Sequence, residues 1–205
     1  MAVTPAGDAP SAREALLLAA AEELTEKGHA SVSLRAVARR AGVSHAAPAH
    51  FFGDRAGMLT AVAVDGFHRL AVVLHNAGGV EIHGEERFAA QGLAYLDFGL
   101  AHPALMDLMF RQAELVPNDP ELIVAQREAL GPLREGLDGV VGDQAEEWSL
   151  VSWALVHGLV ALVREQALAR VAESDPDAAE ELARRLVRVY AAGVTAAAHT
   201  ARRAP

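Results

Sequence analysis

The stretch SVSLRAVARRAGVSHAAPAHFFGDR, residues 31–55, decides the fold of the N-terminal part of the chain. Ser33 can cap a helix, because its hydroxyl can accept a hydrogen bond from an otherwise unpaired amide of the first turn. Gly42 can end that helix, since glycine adopts a left-handed backbone at no steric cost, and Ser44 can cap the next one. Two short helices joined by a tight turn are typical of the helix-turn-helix, which places its second helix in the DNA major groove. An ordinary helical hairpin is the alternative. The inner face of the first helix recurs at helical spacing and comprises Leu34, Val37, Ala38 and Ala41.

Length and composition narrow the class of protein. A chain of 205 residues with 52% hydrophobic content can bury one good core, or a small module beside a larger one. It contains no cysteine, which excludes disulfides, thiolate metal sites and thiol redox sensing. Residues 1–10 lack a basic region followed by an apolar run, so we expect a flexible tail rather than a signal peptide. No uncharged apolar run reaches the length of a membrane span, so we expect a cytoplasmic protein with no membrane partner.

The net charge of −9 is unevenly distributed along the chain. Residues 28–60 carry a local balance of +3, whereas residues 61–205 carry −9. A basic module on an acidic body suits DNA binding, since the local basic surface meets the phosphates. Many acidic enzymes have patches of similar size, so the asymmetry supports this interpretation only weakly.

Helical patterning runs through almost the whole chain, without an alternating strand pattern bounded by turn signals. The sequence therefore predicts an all-α fold of about nine helices. A long eighth helix is expected over 144–173. The other predicted helices cover 9–27, 34–41, 45–52, 55–76, 84–101, 103–112, 121–137 and 176–200.

These motifs resemble those of TetR-family transcriptional regulators. The match covers roughly residues 11–60. The segments 102–110 and 153–158 also resemble a C-terminal domain of the Trp-His-Gly type. The resemblance implies a three-helix DNA-binding domain at 11–54 and a ligand-binding and dimerisation domain at 55–205, linked by the helix 55–76. The N-terminal residues that carry it are 16–24, Gly28, Ser33, Leu34, Arg35, Val37, Ala38, 41–44, His50, Phe52, Gly53, Arg55 and Leu59.

The resemblance also implies which side chains contact DNA. Arg35 would reach a guanine edge or a phosphate, and it is the best candidate for reading a base, because its guanidinium fork matches the two acceptors of a guanine edge. Ser33 and Arg55 would bond phosphates, contacts that position the protein without reading sequence. Arg39 and Arg40 are interpreted as a solvated face. His50 could contact DNA or could instead cap a helix or pack locally. The other expected contacts, including His50, are Ser44, His45, Ala46, Ala47, Ala49 and His50.

Two residues of the recognition helix depart from the family pattern. Proline stands at position 48, where the family usually has leucine, and alanine at position 49, where it usually has tyrosine. If Ser44 caps this helix, Pro48 removes the donor of its first intrahelical hydrogen bond. Ala49 offers only a methyl group, which can touch a thymine methyl. We therefore expect salt-sensitive binding that relies on Arg35, Arg55 and the histidines and discriminates modestly between sequences.

Apolar stripes on the last two predicted helices bear on assembly. Two apolar faces on the eighth helix suggest one contact with its own domain and one with a second subunit. The resemblance implies a four-helix homodimer interface, and recognition helices about 34–36 Å apart would match successive major grooves of a palindrome. Burial of both stripes within one monomer is the alternative. The expected interface residues are Val151, Leu155, Leu159, Leu162, Leu182, Leu186, Val189, Tyr190, Gly193 and Ala197.

A ligand pocket is implied by the resemblance more than by the residues. The candidates form a mostly apolar set with few polar groups, which suits a small apolar effector. Ordinary core packing explains each of them equally well, and His157 is more simply a hydrogen-bonded core histidine. The candidates are Tyr95, Met106, Met109, Phe110, Trp153 and His157.

The resemblance thus implies, as a hypothesis, a repressor that binds a palindromic double-stranded DNA operator and is released by a small, mostly apolar ligand. Nine histidines, including His68 and His75, raise the alternative of a metal sensor or hydrolase. The chain has no HExxH motif or closely paired carboxylates, so we expect no enzymatic activity, metal or cofactor. The other alternative is a helical ligand-binding or interaction dimer with weakened DNA reading, which Pro48 and Ala49 motivate.

Overall fold

The computed structural model describes residues 11–79 and 83–203, and these residues form ten α-helices. No strand occurs within the described ranges, and the predicted all-α class is confirmed. The predicted tail 1–10 lies outside them. Short 3₁₀ turns occur at His29–Ser31, Gln112–Glu114 and Gly142–Gln144. The helices are α1 Ala12–Lys27, α2 Leu34–Ala41, α3 Ala47–Phe52, α4 Arg55–Gly78, α5 Gly84–Ala101, α6 Pro103–Met109, α7 Pro120–Val141, α8 Ala145–Arg164, α9 Ala167–Val171 and α10 Pro176–Arg203.

The described residues divide into two compact units. The first comprises the chain up to Asp65 together with Ala104–Leu122, and the second comprises Gly66–Pro103 and the chain from Ile123 onward. The helix α4 therefore contributes its first part to one unit and the remainder to the other. The predicted boundary at residue 54 concerns the DNA-binding module alone and stays a prediction, since the compact unit that holds this module is larger.

The first unit builds its core from the apolar stripes of its sequence. The helix α1 begins with a capping box, in which Ser11 Oγ accepts a hydrogen bond from the Glu14 amide and Glu14 Oε2 accepts one from the Ser11 amide. Removing the apolar side chains from water supplies the main free energy that holds the helices together. The buried residues include Leu16, Ala20, Leu24, Val32, Val37, Ala38, Met58 and Leu59.

The first helix of the helix-turn-helix has the predicted ends. Ser33 Oγ accepts a hydrogen bond from the Ala36 amide at 3.3 Å, which satisfies one of the unpaired amides at the start of α2. Gly42 ends α2 with a φ of 67°, in the left-handed region. Both caps are therefore confirmed.

The recognition helix α3 is shorter than predicted. It begins at Ala47 rather than at residue 45, so Ser44 is not its N-cap. Ala46 holds that position without a side-chain hydrogen bond. Pro48 consequently lies in the first turn, where the amides have no intrahelical partner, and its missing N–H costs α3 no hydrogen bond.

The second unit has its core among α5, α7, α8 and α10. The helix α7 continues through Pro132 to Val141, further than predicted. The predicted single helix over 144–173 is wrong in its last part: α8 ends at Arg164, Gln166 takes a φ of 56°, and the short α9 follows. The buried core cluster comprises Phe88, Leu133, Leu137, Val140, Ala145, Ala191 and Val194.

Two helical segments, Arg55–Gly78 and Gly142–Arg164, are long and apolar enough to cross a membrane by length and composition. Core helices of water-soluble proteins pass the same test, and 56% of the first segment's apolar window is buried inside the protein. Only 28% of the second segment's apolar window is buried. Its exposed apolar side chains include Val151 and Leu162, which are predicted to meet a second subunit.

Candidate functional site

The predicted DNA-contacting residues lie on α2 and its N-cap, on α3, in the turn between these helices, and, for Arg55, at the start of α4. Most of their side chains are exposed, whereas Ala47 and Arg55 are half-buried. Ser33 uses its hydroxyl as the cap of α2. The exposed members are Ser33, Arg35, Ser44, His45, Ala46, Ala49 and His50.

The three arginines of α2 have different surroundings. Arg35 and Arg39 are exposed and lie four residues apart, so they share one face of the helix. Arg40 instead points to α1, where its Nε donates to Glu23 Oε1 at 2.8 Å and its Nη1 donates to Glu26 Oε1 at 2.7 Å. These carboxylates raise the pKa of Arg40, the hydrogen bond to Glu26 first. Arg40 is therefore part of the packing of α1 against α2, and its interpretation as a solvated residue is wrong.

The exposed face of α3 carries an aromatic ring that the sequence analysis missed. Phe51 is 40% exposed, and its ring meets that of His50 edge-on at 5.1 Å between centroids. The neighbouring Phe52 is half-buried, with the Arg13 guanidinium 5.6 Å from its ring centroid. Consecutive residues point about 100° apart around a helix, so one ring of the Phe51–Phe52 pair on a short surface helix could have been expected to face outward.

Arg55 is engaged within its own unit. Its Nε donates to the Val32 carbonyl at 3.0 Å, its Nη2 to the His29 carbonyl at 2.6 Å, and its Nη1 to Glu114 Oε2 at 2.6 Å. The hydrogen bond from Arg55 lowers the pKa of Glu114. The phosphate contact predicted for Arg55 stays a prediction, and the guanidinium would have to make it while holding these three acceptors or by releasing them.

Three of the predicted pocket residues come together in the second unit. Trp153 Nε1 donates to Tyr95 Oη at 3.1 Å, and Tyr95 Oη lies 3.0 Å from His157 Nδ1. Tyr95 accepts from Trp153, so its own hydrogen can be donated to His157 Nδ1 when the imidazole is neutral with its proton on Nε2. Burial lowers the pKa of His157, aided by the charge of Arg164, so the neutral ring fits this arrangement.

The other three pocket candidates belong to the first unit. Met106 and Met109 are fully buried there, and Phe110 is half-buried. Within the second unit, a cavity of about 20 Å³ lies beside Ser152 and Tyr190. A space of that size holds about one water molecule. An open groove of about 460 Å³ runs along α5 and α10, lined by Glu85, Glu86, Ala89, Ala90, Leu93 and Arg188.

The residues predicted for the dimer interface divide by exposure. Leu159 is 7% exposed and packs inside its own unit, so it presents no face to a second subunit. Leu155, Leu182 and Tyr190 are half-buried, and Tyr190 Oη lies 3.1 Å from Ser152 Oγ between α8 and α10. Leu150 on α8 is also exposed, although it was not among the predicted residues. The exposed members of the predicted set are Val151, Leu162, Leu186, Val189, Gly193 and Ala197.

The histidines that raised the metal alternative do not gather. Among the described residues no three His, Asp or Glu side chains lie close enough to hold one ion. His68 is exposed, with its Nε2 3.5 Å from Glu128 Oε2.

Two family models match this arrangement of helices. Residues 16–62 match bacterial regulatory proteins of the tetR family, and residues 88–190 match the tetracyclin repressor-like C-terminal domain. The chain belongs to the TetR family. It is a transcriptional regulator with a helix-turn-helix DNA-binding domain and a C-terminal ligand-binding domain, and Trp153, His157 and Gly158 fall inside the second match.

Solved structures share the fold of this TetR-family regulator. A protein of unknown function from Rhodococcus sp. RHA1 is 31% identical, with 90% of this chain and 97% of that chain covered and a TM-score of 0.73. A TetR-family transcriptional regulator from Streptomyces coelicolor is 26% identical, with 90% and 99% covered and a TM-score of 0.59. Another from Pectobacterium atrosepticum is 21% identical, with 89% and 93% covered and a TM-score of 0.68. None of the curated proteins matches the chain.

Proposed function

We propose that this TetR-family regulator is a homodimeric cytoplasmic repressor, which binds a palindromic operator and leaves it when a small, mostly apolar effector binds to the C-terminal domain. The observation that carries the DNA-binding part is the contrast among the arginines of α2. Arg40 is taken up by carboxylates, whereas Arg35 and Arg39 are exposed and form no ion pair among the described residues. Arg35, in the first turn of α2, is the residue we assign to base reading, and the recognition helix and the turn before it add His50, His45 and small side chains.

The dimeric part of the proposal is supported by the exposed apolar residues of α8 and α10. They include Val151 and Leu162 on α8 and Val189 on α10. Side chains of this kind gain free energy when a second copy removes them from water. A two-fold dimer would present two copies of α3 to the two halves of a palindrome.

In vitro selection of DNA sites with the full chain, followed by binding titrations over a range of salt concentrations, tests the proposal. We expect a salt-sensitive complex that resists competitor DNA. Arg35→Ala should weaken binding about 5- to 150-fold and relax the preference at one base position of each half-site, the effect of losing one base-reading arginine. Arg39→Ala is the matched control on the same face, and it should leave the base preferences unchanged.

Failure of the selection would contradict the DNA-binding part of the proposal. If no selected sequence forms such a complex, the protein is a ligand-binding or interaction dimer whose DNA reading has weakened. A thermal-shift screen of small apolar molecules tests the effector separately. A molecule that raises the unfolding temperature but leaves operator affinity unchanged would contradict the repressor mechanism.

A further inference from the structure

The side chain of Arg55 joins three segments of the first unit. It starts from the first turn of α4, contacts the connection between α1 and α2 at the His29 and Val32 carbonyls, and contacts Glu114 in the 3₁₀ turn after α6. We propose that Arg55 is a positioning residue for α2 rather than a phosphate contact, and that Glu114 controls whether it holds α2 in the DNA-binding position. The inference rests on the proposed function, because its consequence is the placement of Arg35.

The contact with Val32 reaches the start of α2 directly. Val32 is 1% exposed and immediately precedes Ser33, the N-cap of α2. Arg35 lies two residues beyond that cap. A guanidinium presents its donors in a rigid planar fork, so an arginine that holds two carbonyls of one short connection restricts its rotation and translation together.

Glu114 supplies the negative charge that balances the Arg55 guanidinium while it holds the two carbonyls. Two carbonyls do not neutralise a guanidinium, whereas the Glu114 carboxylate does so at 2.6 Å. The other carboxylate oxygen lies 3.5 Å from His29 Nδ1, so Glu114 faces both the side chain and the connection that Arg55 holds. Loss of Glu114 would leave a half-buried cation without its counter-charge and favour its turning toward water.

The segment that carries Glu114 is fastened to α4 at a second point. Thr60, which is 4% exposed, accepts a hydrogen bond from the Val116 amide at 2.8 Å and donates one to the Ala56 carbonyl. This segment belongs to Ala104–Leu122, whose neighbours along the chain on both sides belong to the second unit. A displacement of this segment therefore moves the carboxylate relative to Arg55 and loosens the start of α2.

The two alternative roles of Arg55, positioning α2 and binding a phosphate, predict opposite effects of Glu114→Gln on operator affinity. If Arg55 positions α2, removal of the carboxylate charge weakens operator binding. If Arg55 bonds a phosphate, Glu114 competes for it, and the same substitution strengthens binding. Glu121→Gln, an exposed carboxylate at the start of α7, makes the same change in net charge and is the matched control.

The experiment measures operator affinity of the full chain against salt concentration for Glu114→Gln, Glu121→Gln, Arg55→Gln and Arg55→Lys. We expect Glu114→Gln to bind about tenfold more weakly than Glu121→Gln, the loss of roughly one charged hydrogen bond. Arg55→Gln and Arg55→Lys should both weaken binding while the salt slope stays that of the wild type. A phosphate contact would instead be tolerated as lysine, and its loss in Arg55→Gln would reduce the salt slope by about one. That result, or tighter binding by Glu114→Gln than by its control, overturns the proposal.

A measurement without DNA separates this inference from the proposed function. Hydrogen exchange of the amides at the start of α2 should be faster in Glu114→Gln than in Glu121→Gln. Unchanged exchange there refutes the positioning role even if the protein binds DNA. Faster exchange in a protein that binds no DNA refutes the repressor function and leaves the positioning role standing.

Discussion

Arg40 donates a 2.8 Å hydrogen bond to Glu23, a carboxylate only 2% exposed to solvent. The pair ties α2 to α1 from the side of α2 that faces the protein. Lys27 also binds Glu23 and, together with Arg40, lowers its pKa. The module that carries the recognition helix is thus held by a charge network around the buried Glu23 as well as by its apolar core, and the Arg35–Arg39 face is not used by this network.

The Glu23 network predicts a difference between neighbouring carboxylates. Glu23→Gln should lower the midpoint of thermal unfolding by several degrees, because Arg40 and Lys27 lose the buried carboxylate that they share. Glu22→Gln is the control, since the Glu22 side chain is 48% exposed and its contact with Arg40 is 3.3 Å long. Thermal unfolding followed by circular dichroism measures both variants, and equal midpoints would contradict the network.

The exposed apolar face of α8 and α10 predicts the effect of a single charge on assembly. Val189 is 67% exposed on α10, and a buried unpaired aspartate there costs about 3 kcal/mol or more, so Val189→Asp should raise the dimer dissociation constant at least about a hundredfold. Val171→Asp is the matched control, because Val171 is 85% exposed on α9 and outside the predicted face. Sedimentation equilibrium measures the dissociation constant. A shift of the same size in both variants would place the interface elsewhere.

The short recognition helix predicts a gain of function. Ala49 is exposed on α3, and Ala49→Tyr would add a ring for the bases and a hydroxyl for a phosphate. One added hydrogen bond is worth about 1 kcal/mol, so operator affinity should rise roughly fivefold. Ala49→Phe adds the ring alone and should gain less. Unchanged affinity in both variants, in titrations at one salt concentration, would show that this position does not face DNA.

Local sequence signals predicted the caps and most helices, because capping and stop residues act within a few positions. Ser33 and Gly42 bound α2 as predicted, and the range 84–101 of α5 agrees to the residue. The break after Arg164 could not be predicted in this way, since the left-handed φ of Gln166 is a conformation that its residue type does not favour. Tertiary packing decides such a position.

The candidate site was predictable to the same degree. The outward residues of α2 and α3 follow from helical spacing and from the family pattern. The partners of Arg55 do not, because Glu114 is 59 residues away in the sequence and no local signal joins them. The late start of α3 could have been predicted, since a proline favours the first turn of a helix and Pro48 therefore argues for a start near residue 48, close to the observed Ala47.

The hydrogen bonds from Trp153 to Tyr95 and from Tyr95 to His157 predict a pH dependence of stability. When the ring is neutral with its proton on Nε2, Nδ1 accepts the hydrogen bond from Tyr95, and protonation puts a hydrogen on that nitrogen, so Tyr95 can no longer donate to it. Burial and the charge of Arg164 lower the pKa of His157 below its usual 6.5 in the folded protein. An unfolded chain therefore binds the proton first as the pH falls, and this contribution to stability is complete above about pH 6.5 and is lost as the pH falls through the folded-state value.

Chemical unfolding at pH 7.5 and pH 5.5 measures this contribution, in a range where the carboxylates stay ionised. His157→Asn keeps an acceptor near the position of Nδ1 but cannot titrate, so its free energy of unfolding should fall less between the two pH values than that of the wild type. Burial and Arg69 lower the pKa of His102 as well, and His102→Asn should therefore show a smaller pH dependence than the wild type too. The double variant should combine the two reductions, because separate titrating groups add. A wild-type pH dependence that survives unchanged in His157→Asn would mean that the pKa of His157 is the same in the folded and the unfolded chain.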